Sequence, residues 1–334
     1  MERRVTSADV AQAAGVSRAT VSYVLNGRSG QSISAATRDR VLAAARTLGY
    51  TPSTAARTLR RGRSDVVLML LPPEPLGQAL AMVLDAASEE VERRGQRLLA
   101  HRLPPQGGAA ALVRSLAPAA LILTTPLDPA ELAELRAFGT PVASLQDELE
   151  DPLSPDLGIG AEQVAHLAGA GHVRLGLALP AAAGYEWRAK VRQSAVEDAC
   201  ARLGLPAPAV IRMELDSVQA AAAVAQWRQG TEPVTAVCAF DDEYAFALLS
   251  GLAARGLAAP DDLAVIGAED IPLAALAVPP LTTVRVDARR LGRRFAQLAA
   301  PAAAEAAGAP DGPDAVGPGE ARLPPVTLVR RASA

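Results

Sequence analysis

The feature that most restricts the fold begins at Asp65. From there on, short apolar runs alternate with longer amphipathic stretches. Strand candidates are Val66–Leu71, Arg97–His101, Ala120–Leu123, Val142–Leu145, Leu175–Leu179, Val210–Met213, Ala236–Ala239 and Leu263–Ile266. Between them fall the helical stretches Leu80–Arg94, Glu131–Phe138, Gln163–Ala170, Arg192–Leu203, Val218–Gln229 and Glu243–Arg255. A strand that returns to its own sheet through a helix must lie parallel to its neighbour, and the helices then cover both faces. The chain of 334 residues holds more of this alternation than one sheet needs. The expected body is therefore α/β, with two lobes of parallel strands and a ligand cleft beyond the strands' carboxyl ends.

The chain before Asp65 is different in kind. Residues 1–63 contain eleven arginines against three acids (Glu2, Asp9, Asp39), a net of +8 that leaves −11 for the remainder of a chain whose total is −3. Such an asymmetry suits a polyanion-binding head on an acidic body, and equally a solvated arginine-rich surface. The spacing of small and apolar residues separates the two. A first helix follows the capping residues Thr6-Ser7 and carries Val10 and Ala14. Gly15 interrupts it, and Ser17 is placed to cap a second helix through Val21 and Val24. Two helices that cross steeply need a small residue at their contact, a permissive residue in the turn and a branched apolar residue in the second helix. Ala11, Gly15 and Val21 occupy those places. A third helix starts at Ser34, carries Val41, Leu42, Ala45 and Leu48 at helical spacing, and stops at Gly49. Three short helices on one small core make an all-α helix-turn-helix headpiece.

In such a unit the start of the second helix enters the major groove. Arg18 can pair with guanine or hold a phosphate, and Ala19 can touch a thymine methyl. Tyr23 reaches a base or a phosphate. Thr6, Ser17, Thr20, Ser22 and Asn26 suit phosphate contacts or helix ends, which set register without reading sequence. After Pro52 an alanine-rich run, Ser53 to Arg60, favours a short helix that is too short to be stable alone in water.

These residues resemble the headpiece of the lactose-repressor (LacI/GalR) family almost position by position. The match runs through Val5-Thr6, Asp9-Val10-Ala11, Ala14-Gly15-Val16-Ser17, Thr20-Val21-Ser22, Val24-Leu25-Asn26-Gly27, Thr37-Arg38, Leu48-Gly49-Tyr50 and Pro52. The resemblance implies a hinge helix after Pro52 that orders on DNA and pairs with its dimer mate in the minor groove. It casts Leu59 as the wedge at the central base step, Ala55 and Ala56 as the close-approach surface, and Arg57, Arg60 and Arg63 as backbone contacts. The body resembles the same family's periplasmic-binding-protein-like core, notably at Gly171-His172, Pro233 to Asp242, Arg255-Gly256-Leu257, Val265-Ile266-Gly267 and Pro280 to Val284. The implied organisation is a headpiece at 1–51, a hinge helix at 52–63 and a two-lobed effector-binding and dimerisation core at 64–334.

By the same resemblance, Arg192 and Asp242 are expected to face each other across the cleft, a pairing suited to polyhydroxyl or carboxylate ligands. The aspartate expected after the fourth strand is displaced to Asp147. Departures from the pattern sit nearby: loop 72–77 reads Pro-Pro-Glu-Pro-Leu-Gly, without an aromatic, and Ala268 stands where an aromatic is common. Tyr185 and Trp187 are the candidates for the missing stacking surface.

Three histidines without metal spacing, and the absence of phosphate-loop or nucleophile motifs, argue against an enzyme, a metal or a cofactor. Asp241-Asp242-Glu243 is better explained as an acidic helix start than as a cation site. Cys200 and Cys238 read as reduced core residues. The amino terminus carries no apolar export segment, and no run is long enough for a bilayer. The expectation is a cytoplasmic regulator, nucleoid-associated when bound, that grips a double-stranded operator as a homodimer, with a sugar-like or other polar metabolite as effector. A C-terminal leucine heptad for tetramers is not visible. The rival readings are a regulator without a small-molecule effector and a solute-binding protein for transport.

Overall fold

In the computed structural model, residues 5–25, 33–50, 63–104, 107–144, 155–299 and 326–334 are described. They form two compact units, Met1–Ser64 and Asp65–Ala334.

The first unit holds α1 (Ser7–Ala14), α2 (Arg18–Leu25) and α3 (Ala35–Thr47). Each start is capped as the sequence suggests. The Thr6 amide and hydroxyl donate to the Asp9 carboxylate at 2.8 and 2.7 Å. Ser17 Oγ accepts from the Thr20 amide at 3.1 Å, and Ser34 Oγ from the Thr37 amide at 3.3 Å. Gly15 has φ 64°, which a residue with a side chain adopts only under strain. Val10, Ala11, Ala14, Val21, Val24, Val41 and Ala45 form the core. Ala11, Gly15 and Val21 thus take the roles their spacing assigns. The expected hinge at 52–63 lies outside the described residues, apart from Arg63.

The second unit has two sheets. Lobe 1 carries β1 (Val66–Leu71), β2 (Arg97–Arg102), β3 (Ala120–Leu123) and β4 (Val142–Ser144) in the order β2-β1-β3-β4, all parallel. In β1 the side chains alternate between two cores. Val67, Met69 and Leu71 join one, with Val83, Val91 and Phe295; Leu68 and Leu70 join the other, with Val113, Leu121 and Leu135. A strand buried on both faces reads as a continuous apolar run, as Val66–Leu71 does. The helices are α4 (Gln78–Arg93), α5 (Ala109–Leu116) and α6 (Pro129–Ala137).

Lobe 2 carries α7 (Pro155–Gly169), β5 (Leu175–Pro180), α8 (Glu186–Arg202), β6 (Ala209–Met213), α9 (Ser217–Trp227), β7 (Ala236–Ala239), α10 (Asp242–Ala254), β8 (Ala264–Glu269) and β9 (Thr282–Arg285). The chain then crosses to lobe 1 as α11 (Ala288–Leu298) and ends in lobe 2 as β10 (Thr327–Val329). The sheet order is β10-β9-β8-β7-β5-β6, with only β10 antiparallel. Ser333, fully buried, holds the tail: its Oγ donates to the Val265 carbonyl at 2.6 Å and accepts from the Thr282 amide at 2.8 Å.

Several elements go beyond the sequence reading: α5, α11, β9 and β10 were not expected. Expected helices also begin early, at Pro155 through a run with two glycines and at Glu186 through a polar first turn. The crossing of α11 onto α4 completes the core of lobe 1 with Ala288, Phe295 and Ala296. The two helices touch so closely that a Cβ on Gly292 would stand 2.2 Å from the Val83 carbonyl oxygen. Cys200 and Cys238 are unpaired and buried, and burial pushes both thiols up.

Candidate functional site

Two surfaces carry the candidate residues. On the headpiece, Thr6, Ser17, Arg18 and Ala19 are exposed, while Thr20, Ser22 and Tyr23 are half-buried along the same helix. The apolar side of α2 is spent on Val21 and Val24, so the start of the helix and its polar side remain outward. Asn26, Ala55, Arg57, Leu59 and Arg60 lie outside the described residues.

In the body, a cavity of about 110 Å³ opens between the lobes at the carboxyl ends of the strands. Its lobe 1 wall is apolar, formed by Leu80 and Val83 of α4 and Leu291 and Phe295 of α11, with Pro72 and Thr124 at the ends of β1 and β3. Its lobe 2 wall is charged and aromatic: Tyr185, Arg188, Asp241, Glu243 and Glu269. Position follows from local structure. Asp241 caps α10, its Oδ1 accepting from the Tyr244 amide at 2.9 Å. Glu269 ends β8 with φ 95°, and Asp270 follows with φ 55°, two consecutive left-handed residues without a glycine. Ion pairs brace this bend: Arg188 reaches Glu269 at 3.2 Å, and both Arg285 and Arg331 reach Asp270 at 2.7 Å.

Arg192 and Asp242 do not form the expected pair across the cleft. Both belong to lobe 2 and both lie behind the cavity wall. Arg192 is 1% exposed and donates to the Phe240 carbonyl at 2.6 Å. One turn earlier on α8, Arg188 stands 5.0 Å over the Phe240 ring and faces the cavity. Asp242 is fully buried, accepting from Thr283 Oγ1 at 2.5 Å and the Ile271 amide at 2.8 Å. It ties α10 to β9, while its neighbour Asp241 takes the outward place. Trp187 is half-buried on α8 and not in the wall, and Asp147 lies outside the described residues. Tyr185 does line the cavity, its ring edge-on to Phe240 at 5.8 Å.

Burial dominates the electrostatics. It pushes Glu269 up to about 8, with help from the neighbouring Asp241, and Asp242 up to about 7. Asp241, Glu243 and Glu74 are raised for the same first reason, since a carboxylate withdrawn from water disfavours its charge. Glu74, from the loop after β1, is 4% exposed and meets lobe 2 at Gly184. Reading the sequence passed over Arg188, Glu269 and Glu74. The strand end Val265 to Gly267 marked the place of Glu269, and the departure at loop 72–77 marked that of Glu74. Among the described residues no group of three or more acids, histidines or cysteines could hold a metal, and no helix is long and apolar enough to cross a membrane.

A helix-turn-helix unit joined to a two-lobed, clefted α/β body defines a DNA-binding transcriptional regulator rather than an enzyme. Comparison with known proteins agrees. Residues 6–53 match the model of bacterial regulatory proteins of the lacI family, and residues 164–334 a periplasmic binding protein-like domain. The HTH-type transcriptional regulator MalR of Streptomyces coelicolor is 34% identical over 309 residues, covering 86% of each chain. The HTH-type transcriptional repressor PurR of Photobacterium profundum is 28% identical, covering 88% of this chain and 90% of its own. In fold, the chain is similar to the Lac repressor dimer bound to operator and the anti-inducer ONPF, with TM-score 0.77, 23% identity and 99% of each chain covered. This chain belongs to the lacI family of bacterial transcriptional regulators.

Proposed function

We propose that the protein is a homodimeric repressor that grips a pseudo-palindromic operator with two headpieces (1–51) and two hinge helices (52–63). The core (64–334) pairs the subunits and holds a small-molecule effector between its lobes. The observation that carries this reading is the union of an outward-facing α2 and an inter-lobe cavity in one chain, aligned along most of its length with regulators. Arg18 and Ala19 are assigned to base edges, Tyr23 to a base or a phosphate, and Thr6, Ser17, Thr20, Ser22 and Asn26 to the backbone or to register. Leu59 is the minor-groove wedge, with Ala55 allowing close approach and Arg57 and Arg60 on phosphates.

Dimerisation is supported by apolar surface that a monomer would leave in water. Leu273, Leu276 and Val278 are 53%, 74% and 90% exposed beside a shallow groove shared with Phe246 and Leu249 of α10. The edge strand β2 is nearly bare, with Leu99 outward. A two-fold dimer also supplies the second half-site that one headpiece cannot read.

The effector acts by binding one lobe arrangement more tightly than another, and so shifts the population of ordered hinge helices. A polar effector is supported by the charged lobe 2 wall, and one structural neighbour, CelR, is known in complex with cellobiose. The cavity, about 110 Å³ and partly open to solvent, is smaller than the roughly 300 Å³ at which ordinary ligand sites begin. Entry of anything larger therefore requires the lobes to part.

Selection of bound sequences from random duplex DNA tests the reading, run on the full chain and on Leu59→Ala and Arg18→Ala. The expected site is two-fold symmetric with a central pyrimidine–purine step. Leu59→Ala should weaken it strongly, and Arg18→Ala should relax one position per half-site at a cost of about 1–3 kcal/mol. An asymmetric site indifferent to Leu59 would remove the hinge mechanism.

A further inference from the structure

We infer that the inter-lobe cavity takes a compact organic cation, whose ammonium charge sits among Asp241, Glu243 and Glu269 of lobe 2 and Glu74 of lobe 1. The inference rests on the reading of this cavity as the effector site and names the chemistry of its ligand.

Charge is the first ground. The described cavity wall holds three carboxylates and a single guanidinium, Arg188. The nearby cations are already engaged. Arg188 pairs with Glu269 and covers the Phe240 ring, Arg192 donates to the Phe240 carbonyl, and Arg102 donates to the backbone carbonyls of Pro73 and Glu74. Glu186 adds a further acid close enough to raise Glu74, accepting from the Gly184 amide at 2.9 Å.

The second ground is independent and comes from the opposite lobe. Glu74 is 4% exposed, and its Oε2 is buried with no hydrogen-bond partner among the described residues. Its loop neighbours Pro72 and Gly77 line the cavity. Across the gap, a Cβ on Gly184 would stand 3.4 Å from that Oε2, so the carboxylate meets lobe 2 next to Tyr185, which lines the cavity. A carboxylate oxygen buried without a hydrogen bond is costly even with Arg188 and Arg102 nearby, and a cation bound between the lobes adds the compensation they leave incomplete. It also gives closure a reason: only with the lobes together do Glu74 and the lobe 2 acids surround one charge.

The remaining walls set the body of the ligand. Leu80, Val83, Leu291 and Phe295 offer apolar contact, and a cavity of about 110 Å³ admits only a small frame. A neutral polyol could donate hydrogen bonds to these acids but would leave their charge uncompensated, and an anion would add to it. Burial raises each of the four carboxyls even though Arg188 acts on Glu74, Asp241 and Glu269, so the fixed cations offset only part of the cost of burying these acids.

Calorimetric titration of the full-length protein with matched probes tests the inference: choline against its neutral tert-butyl carbon analogue, and glucosamine against glucose. The cationic member should bind at least about tenfold more tightly. The affinity for choline, whose charge does not titrate, should rise as pH climbs toward the raised value of Glu269, about 8. Glu74→Gln, which keeps the shape and removes the charge, should erase most of the preference while the melting temperature confirms the fold. Equal binding of both members of each pair, or binding of neither cation by protein that still grips operator, overturns the inference. A neutral sugar that binds and shifts operator affinity would keep the effector reading while this inference falls. A cation that binds without moving operator affinity supports the site and counts against the effector reading.

Discussion

The headpiece and the cleft are both binding surfaces, yet they are assembled in opposite ways. Every described candidate of the headpiece comes from one stretch, from Thr6 to Tyr23, where helix phase alone turns Val10, Val21 and Val24 inward and leaves Arg18 and Ala19 outward. The cleft draws Glu74, Arg188, Asp241 and Glu269 from four separate segments spread over two lobes, and its apolar wall includes a helix that returns from the far end of the chain. Local rules suffice for the first surface. The second exists only once two sheets and a crossover are in place.

The sharpest way to break this contrast is at the crossover. Gly292→Val drives side-chain atoms into the backbone of α4, where even a Cβ would stand 2.2 Å from the Val83 carbonyl. It should cost about 3 kcal/mol or more. Hydrogen exchange should rise across α4 and β1 while headpiece amides keep their protection; equal losses in both units would show that they fold as one. Val10→Ala is the reciprocal test. It removes two methyl groups from a small core, costs about 2 kcal/mol, and should release headpiece amides without moving the body. Ser34→Ala deletes one cap, from Ser34 Oγ to the Thr37 amide, and should cost about 1 kcal/mol, confined to α3.

The gentlest probe is pH. Glu269 is raised from 4.5 to about 8 and Asp242 from 3.8 to about 7. A carboxyl with a raised folded value contributes stability that is complete below its unfolded value and is lost as pH climbs through the folded one. The body should therefore melt at a falling temperature as pH rises from about 5 to about 8. The described headpiece buries no carboxylate, so its exchange protection, corrected for intrinsic rate, should stay flat. A body that gains stability over that window would mean that its arginines outweigh burial.

Legibility followed the same divide. The helix starts at Ser7 and Arg18, the start of α3 after Ser34 and the stop at Gly49 were readable, because caps and glycines act within a turn of where they stand. The buried strands β1, β3, β5 and β7 were readable as apolar runs. By contrast, α11 reads Ala-Arg-Arg-Leu-Gly-Arg-Arg-Phe-Ala-Gln-Leu and hides its purpose, since its partners Val83 and Ala86 lie some two hundred residues earlier and Gly292 looks like a helix breaker until α4 is against it. Strands β9 and β10 are three or four residues long and acquire meaning only from pairing. Resemblance led to the right helices at the cleft, α8 and α10, but not to the side chains that line it. One helical turn separates Arg192, sealed against Phe240, from Arg188, which faces the cavity; one residue separates buried Asp242 from Asp241.

By itself, then, the sequence determined the headpiece, the alternation of strands and helices that makes the body α/β, the net positive charge of the first unit against an acidic body, and membership of the family. Helix phase, capping and the pleat are properties of neighbours along the chain, so the chain alone states them. Tertiary structure decided which acids meet, why Glu74 is buried opposite Gly184, and that α11 completes lobe 1. Those outcomes depend on contacts between residues far apart in the chain, and burial, which sets the charge state of every carboxyl in the cleft, exists only after those contacts have formed.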